Sequence, residues 1–124
     1  MRPVLRTIVL AAAAVVIPAL LGACGDPPPP RVADLASLRP ADADLAERYE
    51  RSCQLCHAQR GSGAPLVGDT AAWAPRVQRG EAAMLASVMQ GMGTMPPRGL
   101  CPDCSNTDLQ RLIAFMHKPQ AATP

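Results

Sequence analysis

The 124-residue chain predicts an all-α fold of four short helices joined by Gly- and Pro-rich loops. Apolar residues recur at three- and four-residue spacing in four segments, most of them opened by a recognisable cap. No stretch reads as a convincing strand. Only Tyr49, Trp73 and Phe115 are aromatic, so ordinary side chains make a thin core for so small a domain. Such domains are usually stapled by a metal, a disulfide or a buried prosthetic group.

Pro40-Ala41-Asp42 opens the first helix, and Leu45, Tyr49 and Cys53 form its i, i+4, i+8 stripe. Acids at 42, 44 and 47 suit its positive N-terminal end. Residues 60–69 (RGSGAPLVGD) form a loop. A second helix is expected over about 70–78, capped by Asp69 or Thr70, although Pro75 argues for a break or a first-turn position. Gly80-Glu81 opens a third, carrying Met84, Leu85, Val88 and Met89 and ending near Gly91. Residues 93–99 are loop. Ser105 with Asp108 three residues on caps a fourth helix, whose buried face is Leu109, Leu112, Ile113 and Met116.

Ahead of this domain the chain changes character. Arg2 and Arg6 precede an apolar run from Ile8 to Leu21, which is short for a bilayer span and reads as a targeting segment over residues 1–23. Leu21-Gly22-Ala23-Cys24 is similar to the lipobox of bacterial lipoproteins, which implies cleavage before Cys24 and acylation of its thiol and new amino group. Ordinary signal cleavage nearby, giving an unanchored protein, is the competing reading. Pro27 to Pro30 favour polyproline II, so residues 24–40 are expected to form a lipidated start and tether. The domain is expected over 41–118, with 119–124 as a tail.

Charge excludes one class of partner. The full chain carries 12 Lys and Arg against 10 Asp and Glu. Removing residues 1–23 takes two arginines and no acid, so the remaining chain is balanced and has no basic field for nucleic acid. Residues 57–100 carry Arg60, Arg76, Arg79 and Arg98 against Asp69 and Glu81, a mildly basic stretch.

Chemistry concentrates at Cys53-Gln54-Leu55-Cys56-His57. Two thiols three positions apart, with an imidazole next, read as a c-type haem attachment site. The thiols add across the two vinyl groups of the porphyrin, and the histidine then binds the iron. Two buried cysteines beside a surface histidine, or half of a zinc site, are the alternatives. An electron-transfer haem needs a second axial ligand. Met84, Met89, Met92, Met95, Met116 and His117 are available. Met84, Met89 and Met116 fall on apolar helix faces, and His117 ends the last helix. Met92 and Met95 lie in the loop, and two prolines after Met95 stiffen its backbone, which favours Met95.

Cys101 and Cys104 form a second pair. A reactive thiol site is conceivable at a helix start, but no strand–helix alternation surrounds it. A four-cysteine zinc site would need a 44-residue spacer, far beyond the usual ~15–20. Export favours a small disulfide, whose short loop limits its stabilisation to about 1–2 kcal/mol.

Taken together, the Cys53–His57 motif, Gly63-Ala64-Pro65, Gly68-Asp69, Ala72-Trp73-Ala74-Pro75-Arg76, Met95-Pro96-Pro97-Arg98-Gly99 and Cys101-Pro102-Asp103-Cys104-Ser105 closely resemble the cytochrome c5 family. These are bacterial class I c-type cytochromes, and the resemblance runs in order over about residues 42–117. It implies a small class I cytochrome c fold around one covalent haem c. It further implies thioethers at Cys53 and Cys56, His57 and Met95 as axial ligands, and a Cys101–Cys104 disulfide. The Pro65 carbonyl would accept the His57 Nδ1 proton. Trp73 and Arg76 would lie towards the haem propionates. Gly99-Leu100 departs from the two glycines often found there. The lipobox and proline tether lie outside the resemblance.

The chain therefore reads as a monomeric, lipid-anchored periplasmic carrier of single electrons between protein partners of a respiratory chain. It has no small-molecule substrate and no nucleic-acid partner, and it is not an enzyme. A haem enzyme or gas sensor with an open iron position is the main alternative, and a thiol-redox or zinc module the second.

Overall fold

A computed structural model describes residues 35–120; the targeting segment, Cys24, the proline run and the last four residues lie outside it. Five α-helices and one 3-10 turn make up the described residues: α1 Ala43–Arg51, α2 Gln54–His57, α3 Thr70–Val77, α4 Glu81–Gln90, the 3-10 turn Pro97–Leu100 and α5 Asn106–His117. No strand occurs among the described residues, only an isolated Met92–Met95 bridge.

The caps explain where helices begin. Asp42 accepts from the Leu45 N–H and Asp69 from the Ala72 N–H, both at 3.0 Å. Ser105 and Asp108 form a complete capping box on α5. α4 is bracketed by Gly80 and Gly91, both with φ in the left-handed range (89° and 80°).

Three local features depart from expectation. The first helix stops at Ser52 (φ −132°, ψ −88°), whose hydroxyl donates to the Arg48 carbonyl, and the attachment motif forms its own single turn, α2. α3 runs through Pro75 to Val77, forgoing the one bond that an N–H at 75 would make to the Ala71 carbonyl. Packing of Trp73, 5% exposed, holds the helix across that gap. Finally, 97–100 is not plain loop but a 3-10 turn containing left-handed Arg98 (φ 59°), Gly99 (φ 59°) and Leu100 (φ 65°).

α1 and α5 pack together through Tyr49 and Phe115, edge to face at 5.1 Å. The expected stripe of Leu45, Tyr49 and Cys53 is buried, as are Leu109, Leu112, Ile113 and Met116. Packing also starts upstream of residue 41: Leu35 is fully buried and Leu38 packs against the same core. These two leucines fall within the stretch expected as tether and belong to no periodic run, so only their packing reveals them as part of the core.

Cys101 and Cys104 are disulfide-bonded, with Cα atoms 5.4 Å apart. Asp103 within this loop accepts from Arg48 at 2.8 Å and from Arg51 at 2.8 and 2.6 Å, tying the loop to α1. The Arg51 contact, the Asp103 backbone and the nearby Arg48 charge hold the Asp103 carboxyl below its ordinary 3.8. The Leu45 N–H and then Arg111 do the same for Asp42. Carboxylates lowered on folding contribute stability above pH ~4 that is lost as pH falls through their folded values. We expect Asp103→Asn to lower the Tm of the holoprotein at neutral pH, with the two Tm curves converging as pH falls below the ordinary carboxyl value of 3.8. The effect is small, since these groups are solvent-exposed and screened. Parallel curves across that range would count against the linkage.

Candidate functional site

The four well-formed helices leave one large apolar cleft, with about 1040 Å³ of space counted out to its open mouth. Its mostly apolar lining suits a prosthetic group rather than a water cluster. Cys53, Cys56 and His57 line it from the α1–α2 junction, and Ala64 and Pro65 from the loop that follows. Trp73 and Arg76 enter from α3, Met84 and Val88 from α4, and Ile113 and Met116 from α5. Met92, Met95, Pro96 and Gly99 complete the lining, so every residue expected to hold or surround the group faces one space.

The two motif thiols are unbonded, Cys53 buried and Cys56 exposed. Burial raises the Cys53 thiol above its ordinary value. His57 is 6% exposed, and its Nδ1 lies 2.7 Å from the Pro65 carbonyl oxygen. A carbonyl only accepts, so Nδ1 carries the proton and Nε2 keeps the lone pair. Burial, offset in part by this hydrogen bond, lowers the His57 pKa and keeps the ring neutral, the state in which imidazole binds a metal.

The segment after the motif grips His57 at several points. Val67 donates its N–H to the His57 carbonyl at 2.8 Å, and Trp73 stacks on the imidazole at 5.5 Å with planes 23° apart. The Trp73 indole N–H donates to the Leu66 carbonyl at 2.8 Å, which commits that donor to the backbone beside His57. Arg76 lines the cleft and also donates to the Ala72 carbonyl. Arg79 joins it there, a residue that the sequence marks only as one of the charges of the mildly basic stretch.

Met95 is held by backbone geometry. Met92 and Met95 exchange N–H···O bonds of 3.1 and 3.0 Å, closing a two-residue turn. Gly91 lets that turn approach: a β-carbon there would lie 2.6 Å from the Met95 carbonyl oxygen. A β-carbon on Gly99 would come 3.2 Å from the Met95 methyl. Among the described residues no cluster of three or more His, Cys, Asp or Glu could hold a metal alone. A four-cysteine zinc site is also ruled out by the Cys101–Cys104 bond. The donor set instead suits an iron carried in a flat apolar ring: two thiols for attachment, a neutral imidazole and thioethers, in a greasy cleft.

Comparison with known proteins agrees. Residues 40–116 match the family described as Cytochrome C oxidase, cbb3-type, subunit III. Cytochrome c5 of Ectopseudomonas mendocina is 41% identical over 80 residues, covering 63% of this chain and 87% of that protein. The chain is a c-type cytochrome of the c5 family. Cytochrome c-555 of Chlorobaculum thiosulfatiphilum is 38% identical over 72 residues, covering 55% of this cytochrome and 84% of its relative. Among solved structures, the crystal structure of an electron transfer complex of nitrite reductase with cytochrome c contains a chain 38% identical to it, at a TM-score of 0.54. That match covers 61% of this cytochrome and 93% of the other chain. The cytochrome has the small all-α fold of its class, takes a covalent haem c, and is an electron carrier rather than an enzyme.

Proposed function

We propose that this cytochrome passes single electrons between redox proteins in the bacterial periplasm, held at a membrane by lipid on Cys24. Cys53 and Cys56 carry the haem through thioether bonds, and His57 and Met95 are its axial ligands. Haem c, when bound, supplies an iron that alternates between ferrous and ferric states. The chain's own residues do the rest. Pro65 and Trp73 fix the imidazole, the Met92–Met95 turn presents the thioether, and the apolar lining excludes water. Filling both axial positions leaves no place for a substrate at iron and favours a fairly high potential.

The observation that carries this reading is Met95 facing the same cleft as His57 on a loop pinned by Gly91 and Gly99. Met92 (45% exposed) and Leu100 (53%) line the cleft and are open to solvent, with Leu55 (50%) next to exposed Cys56. This apolar rim suits a protein partner that meets the mouth in brief encounters. A related cytochrome c is found in an electron transfer complex with nitrite reductase, which supports a redox protein as the occupant. The Leu21–Cys24 lipobox and the four prolines support the anchor and its spacer.

Purification from the membrane fraction, followed by reduced and oxidised spectra, tests both halves. A coloured protein in the detergent phase with the long-wavelength methionine–iron band in its oxidised spectrum is expected. Colour without that band rejects Met95 ligation and turns the reading towards an open-iron enzyme or sensor. Colour confined to the aqueous fraction rejects the anchor alone.

A further inference from the structure

The residue with the most unusual placement in the described chain is Arg98. It is a β-carbon-bearing residue at φ 59°, ψ 12°, a region that L-residues other than Asn and Asp seldom enter. Its long side chain is partly buried, and among the described residues no carboxylate pairs with it. Its Nε is buried without a hydrogen-bond partner. A cation so placed is costly unless its other donors are well used.

They are used on two separate elements, while the Arg98 backbone belongs to a third. Nη1 lies 3.1 Å from the Met89 sulfur, near the end of α4. Nη2 donates to the Cys104 carbonyl, at the far side of the disulfide loop and just before α5. The backbone of Arg98 itself belongs to the 3-10 turn that follows Met95, and its carbonyl accepts from the Cys101 N–H at 3.1 Å. The next residue, Gly99, stands against the Met95 methyl. The planar guanidinium reaches two acceptors on separate elements from one rigid fork, which an ammonium would not do as well. It also engages the sulfur of Met89, one of the thioethers that compete in principle for the iron.

We propose that Arg98 is a positioning residue for the axial thioether: it clamps α4, the Met95 turn and the disulfide loop in one register, so that Gly99 backs Met95. The inference rests on Met95 being the iron's ligand. Arg98 touches neither the haem cleft nor the reacting atoms. Its influence passes through backbone.

Imidazole added to the oxidised holoprotein competes with a weakly held axial thioether, so its affinity reads how firmly Met95 is kept in place. Arg98→Gly removes the fork while relieving the left-handed backbone, and Arg98→Lys keeps the charge but loses the two-armed geometry. We expect imidazole affinity to rise about tenfold or more in Arg98→Gly, as for a lost charge-assisted hydrogen bond, with a weakened methionine–iron band. Arg98→Lys should show a smaller rise in the same direction. A purely architectural arginine would lower Tm and leave imidazole affinity at the parental value. That outcome in Arg98→Gly, or in Arg98→Lys if the glycine variant does not fold, overturns the proposal. A parent protein that itself lacks the band overturns the Met95 reading and this inference with it, and so separates the two failures.

Discussion

Met95→Ala will leave the cytochrome red but with its iron open on one side. The methionine–iron band disappears, carbon monoxide binds the reduced protein, and the midpoint potential falls. The drop should be on the order of 100 mV or more, a fraction of the roughly 0.8 V that axial ligation spans. Physically, a thioether is a soft ligand that favours ferrous iron, and water or an oxygen donor in its place favours ferric. Met92→Ala serves as the matched comparison. Met92 sits across the same two-residue turn and lines the same cleft, yet it is 45% exposed. A spectroelectrochemical titration of both variants decides between them. If Met92→Ala loses the band and Met95→Ala keeps it, the ligand assignment is reversed.

A second large effect is expected at the attachment motif. The double variant Cys53→Ala, Cys56→Ala should release all of its haem into acidified acetone, whereas the parent retains it on the polypeptide. It should also lose cooperative thermal unfolding when prepared without haem. The reason lies in the core. Tyr49, Trp73 and Phe115 are the only aromatic residues, and the apolar cleft beside His57 is lined by Ile113, Met116, Met84 and Val88 with nothing of the chain to fill it. A domain with a net stability of about 5–15 kcal/mol does not tolerate an unfilled apolar cleft of this size. A haem-free double variant that melts as sharply as the parent would show that the protein core suffices alone.

Both predictions depend on residues that could be read from the chain before any coordinates. The motif at 53–57 is local, because the chemistry demands adjacent residues. Helix starts are equally readable, since Asp42, Asp69 and the Ser105–Asp108 pair act on N–H groups three residues away. What escaped notice was set by distant partners. The break at Ser52 depends on where α1 must release the chain so that His57 meets Pro65. Pro75 inside α3 is tolerated because Trp73 is packed on His57, a contact across sixteen residues. The indole N–H of Trp73 goes to the Leu66 carbonyl, a partner that no local pattern marks. Arg98 in a left-handed turn carries no local conformational signal, because residues with a β-carbon seldom enter that region.

Burial of Leu35 bears on the reach of the whole molecule. With Leu35 fully enclosed and Arg39 bonded to Glu50 and the Ala36 carbonyl, residues 35–39 pack on the domain and are not available as spacer. Under the lipid-anchored reading, the leash from residue 25 then has ten residues instead of sixteen. At about 3.1 Å per residue, the polyproline II spacing that four prolines favour, such a leash would span roughly 31 Å rather than roughly 50 Å. On that reading, the radius within which this carrier could search for a partner would be correspondingly shorter, and each partner would have to present its own redox centre close to the bilayer.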